Sequence, residues 1–494
     1  MNPVSCTNLF NLFPEMDEGM TKFVRMVEYG KLDPKPYQRD GVKWCLRNEL
    51  GTKGEIKGGI IADEMGLGKT ITMIGTMVGN TVRRSLIVLP VVLLEQWANQ
   101  IKRLTGHTSL IYHGSHKSKI SGEKLKTATI VLTTYGMITV DKTVPRPTEL
   151  HKLQWNRVVF DEAHHLRNRA TGRYIGASML KTDIHWFLTG TPIQNKKSDL
   201  FSLCTLLGID GDDCEENLAH IVERYVLRRT KAQVGIKLPD VIEENTMVAW
   251  SDKREKALAE EIHSTLSFSG VSAEKSGKIA EHMSGIGPGK SFALLIRARQ
   301  MCTLPSLLSQ SLPENHGYSE AVKQTSKMDA VVQTILSRKG NGNGKLVFCN
   351  FRGEIDEMAR QLKEGGIQKV GVFDGRVSGP QREAILKGDN EVIILQIQTG
   401  CEGLNLQDGF SEIYFSSPNW NQAIEDQAIA RCHRIGQTKS VSVYRFVMEG
   451  FDKDPGSQID PISIEMHICN TQTTKREIMF SDASTPHDKM TPKK

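Results

Sequence analysis

Residues 63–70 combine two glycines, a lysine and a threonine in a pattern that requires a strand, a tight loop and a helix in succession. They read Asp-Glu-Met-Gly-Leu-Gly-Lys-Thr and follow the apolar pair Ile60 and Ile61. Glycines in such a loop let backbone N–H groups face phosphates, while the lysine supplies a positive charge and the threonine hydroxyl a ligand for Mg²⁺. The segment therefore predicts a phosphate loop in an α/β fold, although Asp63 stands where the strict motif has its first glycine.

A second motif, Asp-Glu-Ala-His at 161–164, directly follows the apolar run 158–160. Such a run predicts a buried strand, which would deliver Asp161 and Glu162 to the carboxyl edge of a parallel sheet, where ligands bind. A glycine-rich turn with a surface lysine is the alternative for the first motif taken alone. Together the two motifs favour a site that holds a nucleoside triphosphate with Mg²⁺ and hydrolyses it.

Composition limits the class of protein. The 494 residues suffice for roughly three average domains or two large ones. A net charge of +6 permits a polyanionic partner but does not require one. The nine cysteines form no C-x-x-C pair, which argues against a zinc module and favours a reduced, intracellular protein. No apolar run has the length of a membrane span, and the first residues lack the features of a secretory signal.

Short apolar runs alternate with helix-like stretches in two series, as expected for βα units that build parallel sheets. We therefore predict an α/β fold with two parallel-sheet lobes and a mainly helical section, about 196–335, between them. The polar residues after Ser481 are predicted to be disordered. The predicted strands are 60–61, 85–89, 130–132, 157–160 and 186–188 in the first series, and 346–349, 370–373, 392–395, 413–415 and 441–446 in the second.

Arg431 and Arg434 lie three residues apart in the stretch 426–437, which predicts a helix on which they share one face. An arginine that reaches a phosphate site can stabilise the charge that develops during γ-phosphoryl transfer. For an isolated pair of this kind, a solvated basic helix face is the commoner explanation. The two nucleotide motifs earlier in the chain favour the catalytic interpretation.

Further short stretches stand in order along the chain, and with the two nucleotide motifs they resemble the SWI/SNF-related branch of the superfamily 2 helicase-like ATPases (DEAH box). The resemblance covers about residues 30–450. Within the branch, 58–63 and 294–300 are similar to the lodestar-type transcription terminators and repair translocases, in a compact form as in large DNA viruses. The stretches are Tyr-Gln at 37–38, Leu-Pro at 89–90, Gln-Trp at 96–97, Thr-Thr-Tyr-Gly at 133–136, LTGTPIQN at 188–195, Gly-Leu-Asn-Leu at 403–406 and CHRIGQ at 432–437.

The resemblance implies two RecA-like parallel-sheet lobes with a mainly helical insertion between them. It divides the chain into five segments. They are an N-terminal extension at 1–29, lobe 1 with the ATP-binding motifs at 30–235, the helical insertion at 236–335, lobe 2 or helicase C-terminal domain at 336–450, and a C-terminal brace with a disordered tail at 451–494.

The resemblance also implies roles in ATP hydrolysis. Glu162 would act as the general base, Arg431 and Arg434 as arginine fingers, and Gln427 would contact the phosphate or the attacking water. The implied Mg²⁺ ligands are Thr70 and Asp161, the coupling residues are Thr189 and Thr191, and the ATP-binding residues are Gln38 (which reads the adenine edge), Asp63, Glu64, Met65, Gly66, Leu67, Gly68, Lys69, Thr70 and Gly403.

DNA contacts are expected from hydroxyls, backbone N–H groups and scattered cations rather than from one dense basic patch. The family grips a strand backbone where Thr133 and Thr134 lie, and a similar loop in lobe 2 carries Trp420 and Asn421. A capped turn and a core tryptophan are the structural alternatives. The basic cluster within 224–231 is as compatible with a solvated face as with DNA contact.

The resemblance implies an ATP-dependent translocase on double-stranded DNA, with ATP and Mg²⁺ as cofactors, that remodels or displaces proteins in transcription, repair or chromatin. A targeting protein partner, and a nuclear or viral replication site, are expected, with neither zinc nor a membrane involved. One alternative is a helicase that separates DNA or RNA strands. Another is an ATP-binding scaffold with little turnover.

Overall fold

Two parallel β-sheets organise the chain, one in each of two units that comprise residues 1–237 and 238–494. The structure, a computed structural model, describes residues 14–51, 55–190, 197–272, 275, 290–309, 312, 318–400, 404–455 and 457–481. The predicted disordered tail after Ser481 therefore lies outside the described residues. No described helix offers a continuous apolar stretch of membrane-spanning length.

The first unit contains a seven-stranded sheet in which every neighbouring pair is parallel, in the order β3-β4-β2-β5-β6-β1-β7. Every apolar run of the first predicted series lies within one of its strands. The strands are β1 (Lys57–Ile61), β2 (Ser85–Leu89), β3 (Leu110–Tyr112), β4 (Ile130–Thr134), β5 (Gln154–Asp161), β6 (Lys181–Leu188) and β7 (Val226–Leu227).

Helices cover both faces of this sheet. In β2, Leu86 and Val88 join one buried cluster, whereas Ile87 and Leu89 join the other. Because side chains alternate along a strand, burial on both faces makes the strand a continuous apolar run. The helices of the unit are α1 (Pro14–Tyr29), α2 (Pro36–Leu50), α3 (Lys69–Gly79), α4 (Leu94–Thr105), α5 (Gly122–Thr127), α6 (Tyr135–Ile138), α7 (Gly172–Ser178), α8 (Lys197–Leu207), α9 (Gly211–Glu216) and α10 (Leu218–Tyr225).

The described part of the N-terminal extension is helix α1. It buries Phe23, Met26 and Val27 in the same cluster as Val42 of α2 and Ile74 of α3. The helix is therefore part of the first unit's core.

The second unit contains a six-stranded sheet, also parallel throughout, in the order β10-β11-β9-β12-β13-β8. Every run of the second predicted series lies in one of these strands. The strands are β8 (Val241–Val248), β9 (Gly344–Cys349), β10 (Val370–Phe373), β11 (Val392–Gln396), β12 (Phe410–Phe415) and β13 (Val441–Met448).

In the described residues, the part of the middle section after residue 237 packs into the core of the second unit instead of forming a domain of its own. Leu258, Met301 and Val331 of its helices share a buried cluster with Val347 and Ile394 of the second sheet. The helices of this unit are α11 (Lys253–His263), α12 (Lys290–Thr303), α13 (Ser326–Ser337), α14 (Arg352–Glu364), α15 (Gly379–Lys387), α16 (Ile397–Gly400), α17 (Gln422–Ile429) and α18 (Ile464–Ser481).

Strand β8 is a difference from the prediction, because the middle section was expected to be mainly helical. It pairs along its whole length with β13 at the edge of the sheet, so that Val241 lies beside Val441 and Val248 beside Met448. Five of its residues, 242–245 and 247, are exposed, so the strand lacks the buried apolar run by which the others were recognised.

A buried ion pair ties the C-terminal helix to the rest of the second unit. The ammonium group of Lys327 on α13 contacts the carboxylate of Glu465 on α18, and both side chains are almost fully buried. The backbone N–H of Met448 donates to the same carboxylate over 2.9 Å. Helices α13 and α18 and strand β13 therefore meet at one buried ion pair that also accepts a backbone hydrogen bond.

Candidate functional site

The phosphate loop connects the carboxyl end of β1 to the first turn of α3. Gly66 and Gly68 have φ angles of 91° and 81°, in the left-handed region that favours glycine. Helix α3 begins at Lys69, directly after Gly68. The loop and the positive end of the helix dipole give the geometry that binds phosphate, so the residues present fit a triphosphate.

Lys69 lies within this loop rather than on an open surface. Its ammonium group donates to the backbone carbonyl of Asp63 over 2.8 Å. Thr70 occupies the next position in the first turn of α3. A cation and a hydroxyl thus stand side by side where the strand meets the helix.

Gln38 packs against the phosphate loop. Its side-chain Nε2 donates to the carbonyl of Leu67 over 3.2 Å, and its Oε1 accepts from the N–H of Lys35 over 3.1 Å. A Cβ atom at position 68 would lie only 2.5 Å from that Nε2, so a larger residue there would displace the Gln38 amide. The structure thus places Gln38 beside the loop, and its contact with adenine stays a prediction.

Asp63 and Glu64 of the phosphate loop form ion pairs with the end of the first unit. The Arg229 guanidinium contacts the Asp63 carboxylate over 3.0 and 2.5 Å, and Lys231 lies 3.1 Å from Glu64. Two members of the basic cluster therefore support the phosphate loop. The sequence missed this role because the partners are more than 160 residues apart and no local spacing indicates the pairing.

Arg224, a third member of the basic cluster, is also engaged within the unit. It donates to the side-chain carbonyl of Asn48 and lies 4.0 Å from Glu55. Among the described residues, the exposed Arg228 side chain makes no hydrogen bond or ion pair, which leaves Arg228 as the remaining candidate for DNA contact in this segment.

Asp161 ends β5 with its carboxylate held by two donors. The indole N–H of Trp97 donates to Oδ2 over 2.7 Å, and the backbone N–H of Glu162 donates to Oδ1 over 2.9 Å. Burial and the neighbouring Glu162 charge raise the pKa of Asp161 to about 6. The group is thus an oriented carboxylate that a bound cation would keep ionised.

Glu162 has a φ angle of 51°, an unusual conformation for a residue with a side chain. Its carboxylate lies 3.3 Å from Nδ1 of His164, and both side chains are mostly buried. Tyr135 donates its hydroxyl to the carbonyl of Asp161 over 2.7 Å. These contacts hold the turn that presents the Asp161 and Glu162 carboxylates side by side.

Thr189 and Gly190 bring the third motif to the phosphate loop. The N–H of Thr189 donates to the carbonyl of Ile61 over 3.0 Å, and the Thr189 side chain is fully buried. A Cβ at Gly190 would lie 2.8 Å from side-chain atoms of Met65, so the two segments are in close contact. Thr191, the second predicted coupling residue, lies outside the described residues.

Arg431 and Arg434 do not share a helix face, which corrects the prediction. Helix α17 ends at Ile429, and both arginines lie in the turns that follow it. The carbonyl of Arg431 accepts from the N–H of Leu406 over 3.1 Å instead of bonding onward along a helix. Gly436, with a φ angle of 104°, completes the change of direction.

The second unit nevertheless brings cationic and amide donors together. Burial and the charge of Arg431 lower the pKa of Arg434, whose guanidinium donates to the side chain of Asn405. The Nε atom of Arg431 and the Nε2 atom of Gln427 are buried and have no hydrogen-bond acceptor among the described residues. Buried donors of this kind suit an anionic ligand. Gly403 lies outside the described residues.

Thr133 and Thr134 lie at the carboxyl end of β4. Both side chains are buried, and the Thr133 hydroxyl donates to the carbonyl of Tyr112 over 2.9 Å. The Thr134 hydroxyl lies 3.1 Å from Nδ1 of His113. Both hydroxyls are thus engaged within the first unit, and contact of these residues with a DNA strand stays a prediction.

Trp420 and Asn421 precede α17. Trp420 is partly buried and meets the His467 ring of α18 edge-on, with centroids 6.2 Å apart. Asn421 caps α17, because its side-chain oxygen accepts from the N–H of Ala423 over 3.1 Å. Trp420 thus packs at the margin of the second unit's core, and contact of Trp420 and Asn421 with DNA stays a prediction.

Two family models match the chain. Residues 37–211 match the SNF2-related domain, and residues 326–436 match the helicase conserved C-terminal domain. Together they include the phosphate loop, Asp161, Glu162, Gln427, Arg431 and Arg434. The first domain thus lies in the first unit and the second domain in the second unit.

Curated relatives align over most of the chain. A probable global transactivator of Orgyia pseudotsugata multicapsid polyhedrosis virus is 28% identical, over 84% of this chain and 86% of its own length. An uncharacterized ATP-dependent helicase of Mycoplasma pneumoniae is 28% identical, over 94% of this chain and 43% of its own length. The ATP-dependent DNA helicase DDM1 of Arabidopsis thaliana is 30% identical over 83% and 58%. The chain thus spans most of the viral relative but only about half of the other two.

Among solved structures, the Sulfolobus solfataricus SWI2/SNF2 ATPase core in complex with dsDNA is 24% identical to this chain, with a TM-score of 0.39. The match covers 92% of this chain and 93% of that one.

Proposed function

Because the chain belongs to the SNF2-related ATP-dependent helicases, a family of nucleic-acid-dependent ATPases, we propose that it is an ATP-driven translocase on double-stranded DNA. The consequence of its movement would be the displacement or remodelling of proteins bound to that DNA. The observation that carries the ATPase part is the convergence of three segments, 63–70, 161–162 and 189–190, at the carboxyl edge of adjacent strands in one sheet.

In this proposal the first unit's own residues prepare the hydrolytic step. Lys69 leaves the Asp63 carbonyl to neutralise the β and γ phosphates, while backbone N–H groups at the start of α3 bind the same oxygens. Glu162 accepts a proton from the attacking water. The hydroxyl of Thr70 and the Asp161 carboxylate would hold Mg²⁺, which supplies neutralising charge on the phosphates.

The second unit would supply Arg431, Arg434 and Gln427 to the charge that develops on the γ-phosphate. The buried donors without acceptors on Arg431 and Gln427 favour this role. Thr189, fixed to Ile61 through its backbone, would couple the phosphate loop to the segment that follows β6.

The nucleic-acid substrate is the less direct part of the proposal. Double-stranded DNA is favoured by the sequence motifs of the SWI/SNF-related branch, and a nuclear or viral site of action is consistent with the relatives' names. The proposal includes a separate protein partner that selects the site of action.

Two other functions remain open to test. A strand-separating helicase would use the same nucleotide site but would separate a tailed duplex. A scaffold would bind ATP without turnover, which the presence of Glu162 beside Asp161 disfavours.

The decisive experiment measures ATP turnover without nucleic acid and then with duplex DNA, single-stranded DNA and RNA. We expect duplex DNA to stimulate turnover most, and Glu162→Gln to abolish it while ATP still binds. Stimulation mainly by single strands or RNA, together with separation of a tailed duplex, would favour the helicase. ATP binding with no turnover under any condition would favour the scaffold.

A further inference from the structure

The strap, residues 226–231, runs alongside the phosphate loop and the strand before it. Its strand β7 is parallel to β1, with Val226 beside Ile60 and Leu227 beside Ile61. The pairing continues into the loop, because the N–H of Ala62 donates to the carbonyl of Leu227 over 2.7 Å. The strap therefore extends the sheet at the point where the phosphate loop begins.

The strap also bonds to the loop itself. The N–H of Glu64 donates to the carbonyl of Arg229 over 2.9 Å, and the N–H of Lys231 donates to the Glu64 carboxylate over 2.7 Å. Two backbone donors on opposite segments are thus satisfied only when the strap and the loop stay in register.

The Arg229 side chain makes the most buried of these contacts. Its guanidinium holds both carboxylate oxygens of Asp63, whose side chain is 1% exposed, and also donates to the carbonyl of Tyr37. A carboxylate so deeply buried requires a compensating charge. The carbonyl of the same Asp63 is the acceptor for Lys69.

We propose that Arg229 is a positioning residue of the nucleotide site, acting through Asp63. Its charge cancels that of a carboxylate next to the phosphate loop, where an uncompensated negative charge would repel a triphosphate. Its two-pronged contact also fixes the Asp63 carbonyl that receives Lys69 before nucleotide binds. The inference deepens the proposed function and rests on it, because it concerns the same ATP site.

By the same reasoning, Lys231 should contribute less than Arg229 to nucleotide binding. Its partner Glu64 is 41% exposed, whereas Asp63 is almost completely buried. Exposed ion pairs contribute little because water screens them, while a lone charge in a buried pair is costly. The two pairs therefore predict different results when each cation is removed.

The test is the affinity for a fluorescent ATP analogue, measured with the full chain and Mg²⁺ but without nucleic acid. Removal of the charge in Arg229→Met should weaken binding about tenfold or more, and Lys231→Met less than about threefold. Arg224→Met is the matched control, since Arg224 contacts Asn48 and Glu55 instead of the phosphate loop. It should leave the affinity unchanged.

A second substitution separates charge compensation from packing. Replacement of both partners, in Asp63→Asn with Arg229→Met, removes the lone charge and should restore affinity to within about threefold of the unaltered chain. If the double variant loses as much affinity as Arg229→Met alone, charge compensation is not the role of Arg229. Arg229→Lys keeps the charge but not the two-pronged contact. Its affinity for the ATP analogue should lie between those of Arg229→Met and the double variant.

The outcomes distinguish the inference from the proposed function. If Arg229→Met binds the ATP analogue as tightly as the unaltered chain, the inference is overturned while ATP binding stands. If Arg229→Met does not fold, an unaltered affinity in Arg229→Lys has the same meaning. No binding by the unaltered chain would refute the ATP site and the inference together.

Discussion

The indole N–H of Trp97 donates to Oδ2 of Asp161 over 2.7 Å, although 64 residues separate them in sequence. Trp97 lies on α4 and is almost fully buried. Metal-binding carboxylates depend on such outer contacts for their orientation. Trp97 therefore belongs to the candidate site, although the sequence assigned it no role.

Trp97→Phe should weaken the response to Mg²⁺, because the ring is kept and only the donor to Asp161 is lost. We expect the Mg²⁺ concentration for half-maximal ATP turnover to rise about tenfold. Trp155→Phe is the control, since Trp155 is equally buried in the same unit but donates to the carbonyl of Leu150. A Mg²⁺ response in Trp97→Phe equal to that of the control would contradict the role of this bond.

The pH dependence of Mg²⁺ binding follows from the pKa of Asp161, raised to about 6 by burial and by the Glu162 charge. Mg²⁺ needs the ionised carboxylate, which is fully populated only above this pKa. Apparent Mg²⁺ affinity should therefore fall about tenfold per pH unit below about pH 6. A fluorescent ATP analogue titrated with Mg²⁺ between about pH 5 and 8 measures this.

Glu162→Gln isolates the Asp161 contribution, because ATP itself takes up protons in the same range. With the neighbouring charge removed, the pKa of Asp161 falls, and the midpoint should move to lower pH. An unchanged midpoint in Glu162→Gln would show that another group governs the titration.

Much of the fold was predictable from the sequence, because buried parallel strands are continuous apolar runs. Every run so identified lies in a strand. Strand β8 was missed because Glu243, Glu244 and Asn245 are exposed at the sheet's edge, where only one neighbour covers the strand. An edge strand needs no apolar run, so this element depends on its pairing with β13.

The candidate site was predictable only where its chemistry lies in local motifs. The phosphate loop and the Asp161–Glu162 pair follow strands, as their spacing indicated. The pairing of Arg229 with Asp63 joins segments 166 residues apart, which no local pattern reveals. The helix expected to carry Arg431 ends at Ile429, and the Arg431 carbonyl accepts from the N–H of Leu406 in another segment.

Arg431→Lys should lower the maximal ATP turnover more than the affinity for ATP. A lysine keeps the charge but cannot reproduce the guanidinium contacts that stabilise a phosphoryl-transfer transition state. We expect kcat to fall about a hundredfold while the KM for ATP changes less than about threefold.

Arg360→Lys is the matched control for this substitution. Arg360 lies on α14 of the same unit and pairs with Glu357 and Glu364 on the exposed face of that helix. Its replacement should leave kcat unchanged. Parallel losses in both variants, or a loss confined to KM, would remove Arg431 from the catalytic step.

His263 makes the attachment of α18 sensitive to acid. Its Nδ1 lies 2.7 Å from the carbonyl of Ala259, and its Nε2 lies 3.0 Å from the N–H of Ile464, so Nδ1 carries the proton of a neutral ring. Burial lowers the pKa of His263 to about 4. A proton on Nε2 would face the N–H of Ile464 and break the bond to the start of α18.

The sign of the effect follows from this lowered pKa. The unfolded segment takes up the proton near pH 6.5, whereas the folded one resists until about pH 4. The contribution of His263 to folding stability is thus fully present above about pH 6.5. It falls as the pH drops towards 4, by about 3 kcal/mol in all. Hydrogen exchange of α18, corrected for the intrinsic effect of pH, should report this loss as a falling free energy of opening.

His263→Gln should flatten this pH dependence, because glutamine can still accept from Ile464 but does not titrate. His467→Gln serves as the control, since His467 lies on α18 itself but is only partly buried. It should keep most of the pH dependence. A slope that persists in His263→Gln, or disappears equally in His467→Gln, would assign the acid sensitivity of α18 to a group other than His263.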